Sequence, residues 1–164
     1  MINKLLHQII NIFSRPSTRG VNCAMTNPEY FTLKELIYSP YATEHKIVNI
    51  PSWDIVENLK YLGSCLDEIR QAWGKPLRVT SAFRCTELNK AVGGVNNSHH
   101  KLGLAADIQP QDMKDFEAFK KFIAGYFENY SGEFSQCILE KSGKSEWVHV
   151  SFADNRRQIF KLEA

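Results

Sequence analysis

The stretch "NNSHHKLGLAADIQ", residues 96–109, joins two adjacent histidines to one aspartate through a short apolar run. The run "LAADIQ" (104–109) has the apolar character of a short strand, and Pro110 ends it. Imidazole nitrogens and carboxylate oxygens are common ligands of divalent metals. A His–Asp combination is also common as a simple hydrogen-bonded pair, so the stretch predicts a strand and leaves both interpretations of its polar residues open.

Further strands and amphipathic helices surround this stretch. Apolar residues recur at helical spacing over residues 52–73 and 113–130, and shorter helices are predicted at 30–39 and 85–92. "LRVTSAF" (77–83) is a predicted strand, and "QCILE" (136–140) and "WVHVSF" (147–152) form a predicted hairpin around the turn "KSGKS". Helices beside a small, mostly antiparallel sheet predict an α+β domain.

Composition limits the class of protein. The 164 residues suffice for one domain with a proper core, and 43% apolar and 23% charged residues are ordinary for a globular protein. A net charge of +2 without a Lys/Arg cluster argues against nucleic acid as a partner, but it tolerates an anionic polymer such as a bacterial cell wall. The four cysteines stand far apart without a C-x-x-C pair, which excludes a zinc ribbon and favours reduced thiols.

The N-terminal residues differ from the remainder. Residues 1–27 predict an amphipathic helix and a linker, followed by a single domain over 28–164. Polar residues interrupt the apolar stretch 5–13, so no clear signal peptide is predicted and cytoplasmic synthesis is expected, with secretion as the alternative. No segment is long enough to span a membrane, and we expect a monomer.

The predicted hairpin supplies a third metal-ligand candidate. His149 lies in mid-strand with Trp147 and Ser151 on its own face, while the opposite face carries apolar residues that can pack inward: Val148, Val150 and Phe152. Two imidazoles and one carboxylate, with one coordination position left for water, are typical of a catalytic zinc site.

Several of these segments together resemble the M15 peptidases, which are zinc D-Ala-D-Ala carboxypeptidases and peptidoglycan endopeptidases of bacteria and phages. The segments are "SAFR" (81–84), "LNKAVGGVNNSHHKLGLAADI" (88–108), "ILE" (138–140) and "WVHVSF". The family pattern is Ser-x-His-x-x-Gly-x-Ala-x-Asp followed by a Trp-x-His strand, and the matching residues are Ser98, His100, Gly103, Ala105, Asp107, Trp147 and His149. The resemblance extends over about residues 28–152 and implies a hedgehog/DD-peptidase-like fold.

The resemblance also implies roles for individual residues. His100, Asp107 and His149 take the Zn²⁺ ligand positions, whereas His99 takes a variable position and is expected to be an exposed neighbour. Arg84 matches an arginine that is expected to bind the scissile carbonyl or a substrate carboxylate and to stabilise the charge that builds there. Ser98 is expected either to bind substrate or to organise the loop by local hydrogen bonding.

Two carboxylates are candidates for the catalytic base. Glu140 ends one hairpin strand, and pairing with Trp147 places it on the face of His149; it also resembles the glutamate of the family's "ILE" segment. Glu146 stands three residues before His149, as in the Glu-x-x-His of some M15 branches, but its odd offset requires a bulge to reach that face. We favour Glu140, with Glu146 as the alternative.

The function that follows is a zinc-dependent peptidase acting on peptidoglycan peptides, either a D,D-carboxypeptidase or an L/D endopeptidase. A phage-encoded endolysin would explain the lack of a clear signal peptide. A non-catalytic zinc-binding interaction domain, as in hedgehog proteins, is the alternative, and the presence of Glu140 and Arg84 argues against it. A His-His metal nuclease is the third possibility, and the lack of a basic patch with stacking aromatics counts against it.

Overall fold

The computed structural model describes residues 27–163, with side chains described as far as residue 160. The elements of this range, in chain order, are α1 Leu33–Ile37, α2 Pro40–Glu44, α3 Trp53–Trp73, β1 Leu77–Ser81, α4 Thr86–Ala91, β2 Ala105–Pro110, α5 Phe116–Glu128, β3 Gln136–Ser142, β4 Ser145–Ser151 and β5 Gln158–Glu163. Short 3-10 helices at His99–Leu102 and Met113–Asp115 precede β2 and α5. The predicted amphipathic helix and Cys23 lie outside the described residues.

The five strands form one sheet in the order β1-β2-β4-β3-β5. Three of its strand pairs are antiparallel, and only β3 and β5 run parallel. The predicted α+β fold with a mostly antiparallel sheet is therefore confirmed. Sequence patterns did not predict β5 or the short helix α2, which begins after the N-cap Ser39 with Pro40 in its first turn.

One face of the sheet is covered by α3 and α5. Buried sheet residues such as Ile108, Val148 and Val150 belong to the same apolar core as Leu62 of α3 and Phe119 of α5. The predicted inward face of β4 is thus confirmed. Because side chains alternate along a strand, the polar residues of β2 and β4 lie on the opposite face.

The strand β1 is shorter than predicted. Pairing with β2 loses its regular register between Val79 and Ser81, and the chain leaves the sheet after Ser81. The next residues serve other contacts, since Phe83 donates its backbone N–H to Leu36 O at 2.8 Å.

Of the cysteines within residues 27–163, Cys65, Cys85 and Cys137 are free thiols, and burial raises the pKa of the Cys137 thiol to about 12. Among the helices of residues 27–163, none combines the length and apolar character required to cross a membrane.

Candidate metal centre

The sheet register brings an aspartate and a histidine together. Asp107 of β2 and His149 of β4 are direct antiparallel partners, although 42 residues separate them in the chain. Directly opposed residues point to the same face with their Cβ atoms about 5 Å apart. Their side chains therefore meet on the face that the helices leave open.

His100 reaches the same place from a tight turn. Ser98 N-caps the 3-10 helix His99–Leu102, and its Oγ accepts the backbone N–H of His100 at 3.3 Å. The turn ends at Gly103, which has φ +68° and leads into β2. A Cβ at this position would approach Ile55 Cγ2 at 3.0 Å and Leu59 Cγ at 3.1 Å, so the close approach of the turn to α3 also requires glycine.

Three side-chain donor atoms converge at this point. His100 Nε2 lies 3.2 Å from His149 Nδ1 and 3.3 Å from Asp107 Oδ1, and the latter two atoms are 2.9 Å apart. Ligand atoms of a tetrahedral metal site with bonds of about 2.0–2.1 Å stand about 3.3 Å from one another. Two imidazole nitrogens and one carboxylate oxygen in this triangle therefore fit a zinc ion, with a fourth position left open.

Protonation of these groups is consistent with metal binding. His100 Nδ1 lies 2.7 Å from Ala82 O, and donation of its proton to that carbonyl leaves the Nε2 lone pair aimed at the cluster. Burial lowers the pKa of His100, which favours the neutral imidazole that metals need. Burial opposes ionisation of Asp107, but attraction and hydrogen bonds from His100 and His149 hold the pKa of its carboxyl well below the usual range.

Arg84 contacts the outer oxygen of the ligand carboxylate. Its Nη2 donates to Asp107 Oδ2 at 2.6 Å, and its Nε donates to Ser81 Oγ at 2.8 Å. The side chain is partly buried and lines the cavity described below. Arg84 thus orients Asp107 directly, a contact that the sequence did not predict.

The two candidate bases point in different directions. Glu140 pairs with Trp147 in an uninterrupted β3–β4 register, so its side chain shares the face of His149. Glu146 pairs with Lys141, and its carboxylate lies 3.5 Å from the Nζ atoms of both Lys120 and Lys141. No bulge brings Glu146 to the cluster.

A cavity of about 560 Å³ opens over the three donor atoms. Its wall includes the predicted residues Arg84, Ser98, His100, Asp107, Glu140 and His149. Such a volume is ordinary for a small-molecule or peptide site. The wall also includes Arg156 and Phe160, which no sequence signal singled out because both follow the last recognisable motif.

His99 differs from its expected exposed position. The ring is half-buried, with Nδ1 3.1 Å from Ser151 Oγ and Nε2 3.1 Å from Arg156 Nη2. Burial and then the charge of Arg156 lower the pKa of His99. His99 thus lies beside the cluster but directs both nitrogens to other partners.

Comparison with models of known protein families gives a match. A family model described as Peptidase M15 matches residues 29–151, a range that includes the three converging donors, Arg84 and Glu140. None of the curated proteins compared matches the chain significantly. The match extends over most of the chain and confirms the resemblance in the motifs, so this chain belongs to the peptidase M15 family.

Proposed function

We propose that this protein is a zinc-dependent peptidase that hydrolyses peptidoglycan peptides, as a D,D-carboxypeptidase or an L/D endopeptidase acting on the bacterial cell wall. The observation that carries the proposal is the convergence of His100 Nε2, Asp107 Oδ1 and His149 Nδ1 at the floor of an open cavity. Structural zinc sites are closed by four protein ligands, whereas three ligands beside a cavity are typical of catalytic sites.

The residues of the cavity can divide the reaction among them. A zinc ion held by the three donors would polarise the scissile carbonyl and activate a water nucleophile. Glu140 accepts a proton from the attacking water and passes it to the amine nitrogen as the C–N bond breaks. Arg84 holds Asp107 in place, and its guanidinium on the cavity wall faces the negative charge that builds on the carbonyl oxygen.

The alternative of a non-catalytic zinc-binding domain is less well supported. A site that only binds metal needs neither a carboxylate nor a cation facing the open position, yet Glu140 and Arg84 both line the cavity. A His-His nuclease site is also disfavoured, since the ring nitrogens of His99 contact Ser151 and Arg156.

Digestion of purified peptidoglycan tests the proposal. The zinc-loaded protein should release new fragments whose masses identify the bond that is cut, and Glu140→Gln with the same zinc content should release very little. Fragments that lack one terminal alanine indicate a carboxypeptidase, and shortened internal peptides indicate an endopeptidase. If the zinc-loaded protein leaves the peptidoglycan unchanged, the proposed activity is wrong.

A further inference from the structure

Arg156 is held in the cavity wall by a loop with many internal contacts. Ser135 is fully buried, and its Oγ accepts the backbone N–H groups of Ala153 and Asp154 at 2.8 and 2.7 Å. Asp154 Oδ1 in turn accepts both the backbone N–H and the Nε–H of Arg156. The residues before Arg156 are therefore fixed by a buried hydroxyl, and the start of its side chain is fixed by Asp154.

The residue after Arg156 is fixed as well. Arg157 has φ +54°, an unfavourable value for a non-glycine residue. Its guanidinium compensates by donating to the backbone carbonyls of Gly132 and Tyr130, both at 2.7 Å, and by lying 4.7 Å above the ring of Phe134. Such strain persists where surrounding contacts over-determine the backbone, and it often occurs at ligand sites.

His99 holds the guanidinium end of the Arg156 side chain. A guanidinium only donates hydrogen bonds, so Nη2 donates to His99 Nε2, and the neutral ring must carry its proton on Nδ1, which then donates to Ser151 Oγ. His99 precedes His100, and Ser151 stands two residues after His149 on the same strand face. This contact holds the guanidinium on the wall of the same cavity that the three donor atoms line.

The guanidinium of Arg156 retains N–H groups that can donate to a ligand in the cavity. Asp154 binds Nε and does not line the cavity, whereas Arg156 and His99 do. The structure gives Nη1 no hydrogen-bond partner within residues 27–160. The other arginine of the wall, Arg84, already donates to Asp107. A fork of guanidinium donors in this setting is suited to a carboxylate, which it can bind through charge-assisted hydrogen bonds.

We propose that Arg156 forms a carboxylate subsite beside the metal cluster and selects peptide substrates that carry a free carboxylate close to the scissile bond. The inference rests on the proposed peptidase function and names one feature of its substrate. Arg156 lies beyond residues 29–151, the segment that matches the family model. The carboxylate can be the C-terminus of the peptide or a side-chain carboxylate within it.

Equilibrium binding to zinc-loaded Glu140→Gln protein tests the subsite without depending on turnover. Three probes are compared by calorimetry: N-acetyl-L-lysyl-D-alanyl-D-alanine with a free C-terminus, the same peptide as a C-terminal amide, and an amidated peptide whose only carboxylate is internal. Adding Arg156→Gln should raise the Kd of a carboxylate probe about ten- to hundredfold, the usual worth of hydrogen bonds to a charged group. The fully amidated probe should change less than about threefold. If Arg156→Gln weakens binding of the first probe, Arg156 binds the C-terminal carboxylate of the peptide. If it weakens binding of the third probe, Arg156 binds an internal carboxylate.

Matched variants separate this effect from general changes of charge or fold. Arg156→Lys, which retains the charge but not the fork, should show a smaller loss than Arg156→Gln. Lys144→Gln, at the exposed hairpin turn, removes one positive charge away from the cavity and should leave all three Kd values unchanged. All variants should retain equal zinc. In the protein that retains Glu140, Arg156→Gln should raise KM while kcat stays within about threefold, because the contact between Arg156 and the carboxylate is made equally in the ground state and the transition state.

Failure of the subsite and failure of the proposed activity give different results. If the zinc-loaded protein with Glu140 intact leaves peptidoglycan unchanged, the proposed peptidase activity is wrong, whereas the binding data still report on Arg156. The subsite would be overturned if Arg156→Gln changed the Kd values of the carboxylate and amide probes equally. It would also be overturned if the Glu140→Gln protein that retains Arg156 bound the carboxylate probes no more tightly than the amide probe.

Discussion

At the scale of single residues, the cluster depends on contacts made outside it. Ala82 O accepts a hydrogen bond from His100 Nδ1–H, and Arg84 donates to the outer oxygen of Asp107, so each of these ligands has its donor atom directed inward. Such outer contacts normally affect metal affinity by about ten- to a hundredfold. One backbone carbonyl and one arginine therefore orient these two ligands.

The first prediction concerns the metal and the two adjacent histidines. We expect about one zinc per chain by elemental analysis, a large loss of zinc in His149→Ala, and loss of activity in His100→Ala. His99→Ala should keep its zinc and most of its kcat, because its ring contacts Ser151 and Arg156 instead of the cluster. Full zinc retention in His149→Ala would contradict the ligand assignment, and equal losses of kcat in both histidine variants would contradict the assignment of His100 over His99.

The second prediction separates the two glutamates. Glu140→Gln should keep fold and zinc but lower kcat by about two to four powers of ten, the usual contribution of general base catalysis. Glu146→Gln should lower kcat less than about tenfold, because its carboxylate lies beside Lys120 and Lys141. The two amides are nearly isosteric with the acids, so steady-state rates with zinc content measured for both variants report chemistry. A dead Glu146→Gln enzyme would assign the base to Glu146.

At the scale of elements, the tight turn between His100 and β2 depends on Gly103. Gly103 and Gly143 both have left-handed φ values, +68° and +58°. They differ in their surroundings, since a Cβ on Gly103 would crowd Ile55 and Leu59 of α3, whereas a Cβ on Gly143 would meet nothing within 4 Å. Alanine substitutions at the two glycines therefore separate the cost of backbone strain from the cost of steric crowding.

The third prediction follows from this contrast. Gly143→Ala should lower the free energy of unfolding by about 1 kcal/mol, the strain of a left-handed residue alone. Gly103→Ala should lower it by about 2–4 kcal/mol, because overpacking against α3 is added to the strain. Gly103→Ala should also bind zinc less tightly, since relief of the crowding displaces His100. Urea denaturation and zinc titration measure both effects, and equal stability losses would show that α3 does not constrain the turn.

At the scale of the whole molecule, the site depends on the apolar core behind the sheet. Phe127 of α5 is almost fully buried and packs against the rings of Phe134 and Phe152, with centroid distances of 4.7 and 6.2 Å. Phe134 precedes Ser135, which anchors the Arg156 loop. The core thus supports both β4 and the loop at the cavity wall.

The fourth prediction tests that support. Phe127→Ala should lower the free energy of unfolding by about 3–5 kcal/mol, a large fraction of the total stability of an ordinary domain. Trp53→Ala, at an exposed position of α3, should change it by less than about 1 kcal/mol. Urea denaturation of both variants provides the comparison. Similar losses would mean that the aromatic cluster around Phe127 contributes little to the core.

Local patterns were sufficient to predict most of the fold. The periodicity of residues 52–73 and 113–130 predicted α3 and α5, and the hairpin around "KSGKS" predicted the pairing of Glu140 with Trp147. The strand β5 escaped prediction because the adjacent apolar residues Ile159 and Phe160 interrupt the alternation, and only the four residues 160–163 alternate, which is the shortest run that indicates a strand.

The sequence by itself determined the α+β class, the resemblance to M15 peptidases and the types of donor in the cluster, because helical periodicity, hairpin turns and short motifs are local properties. Only the tertiary structure decided that Asp107 pairs with His149, that Arg84 holds the outer oxygen of Asp107, and that Arg156 reaches the cavity wall. These contacts join residues that are distant in the chain, and their geometry depends on strand register and on the packing of the core behind the sheet.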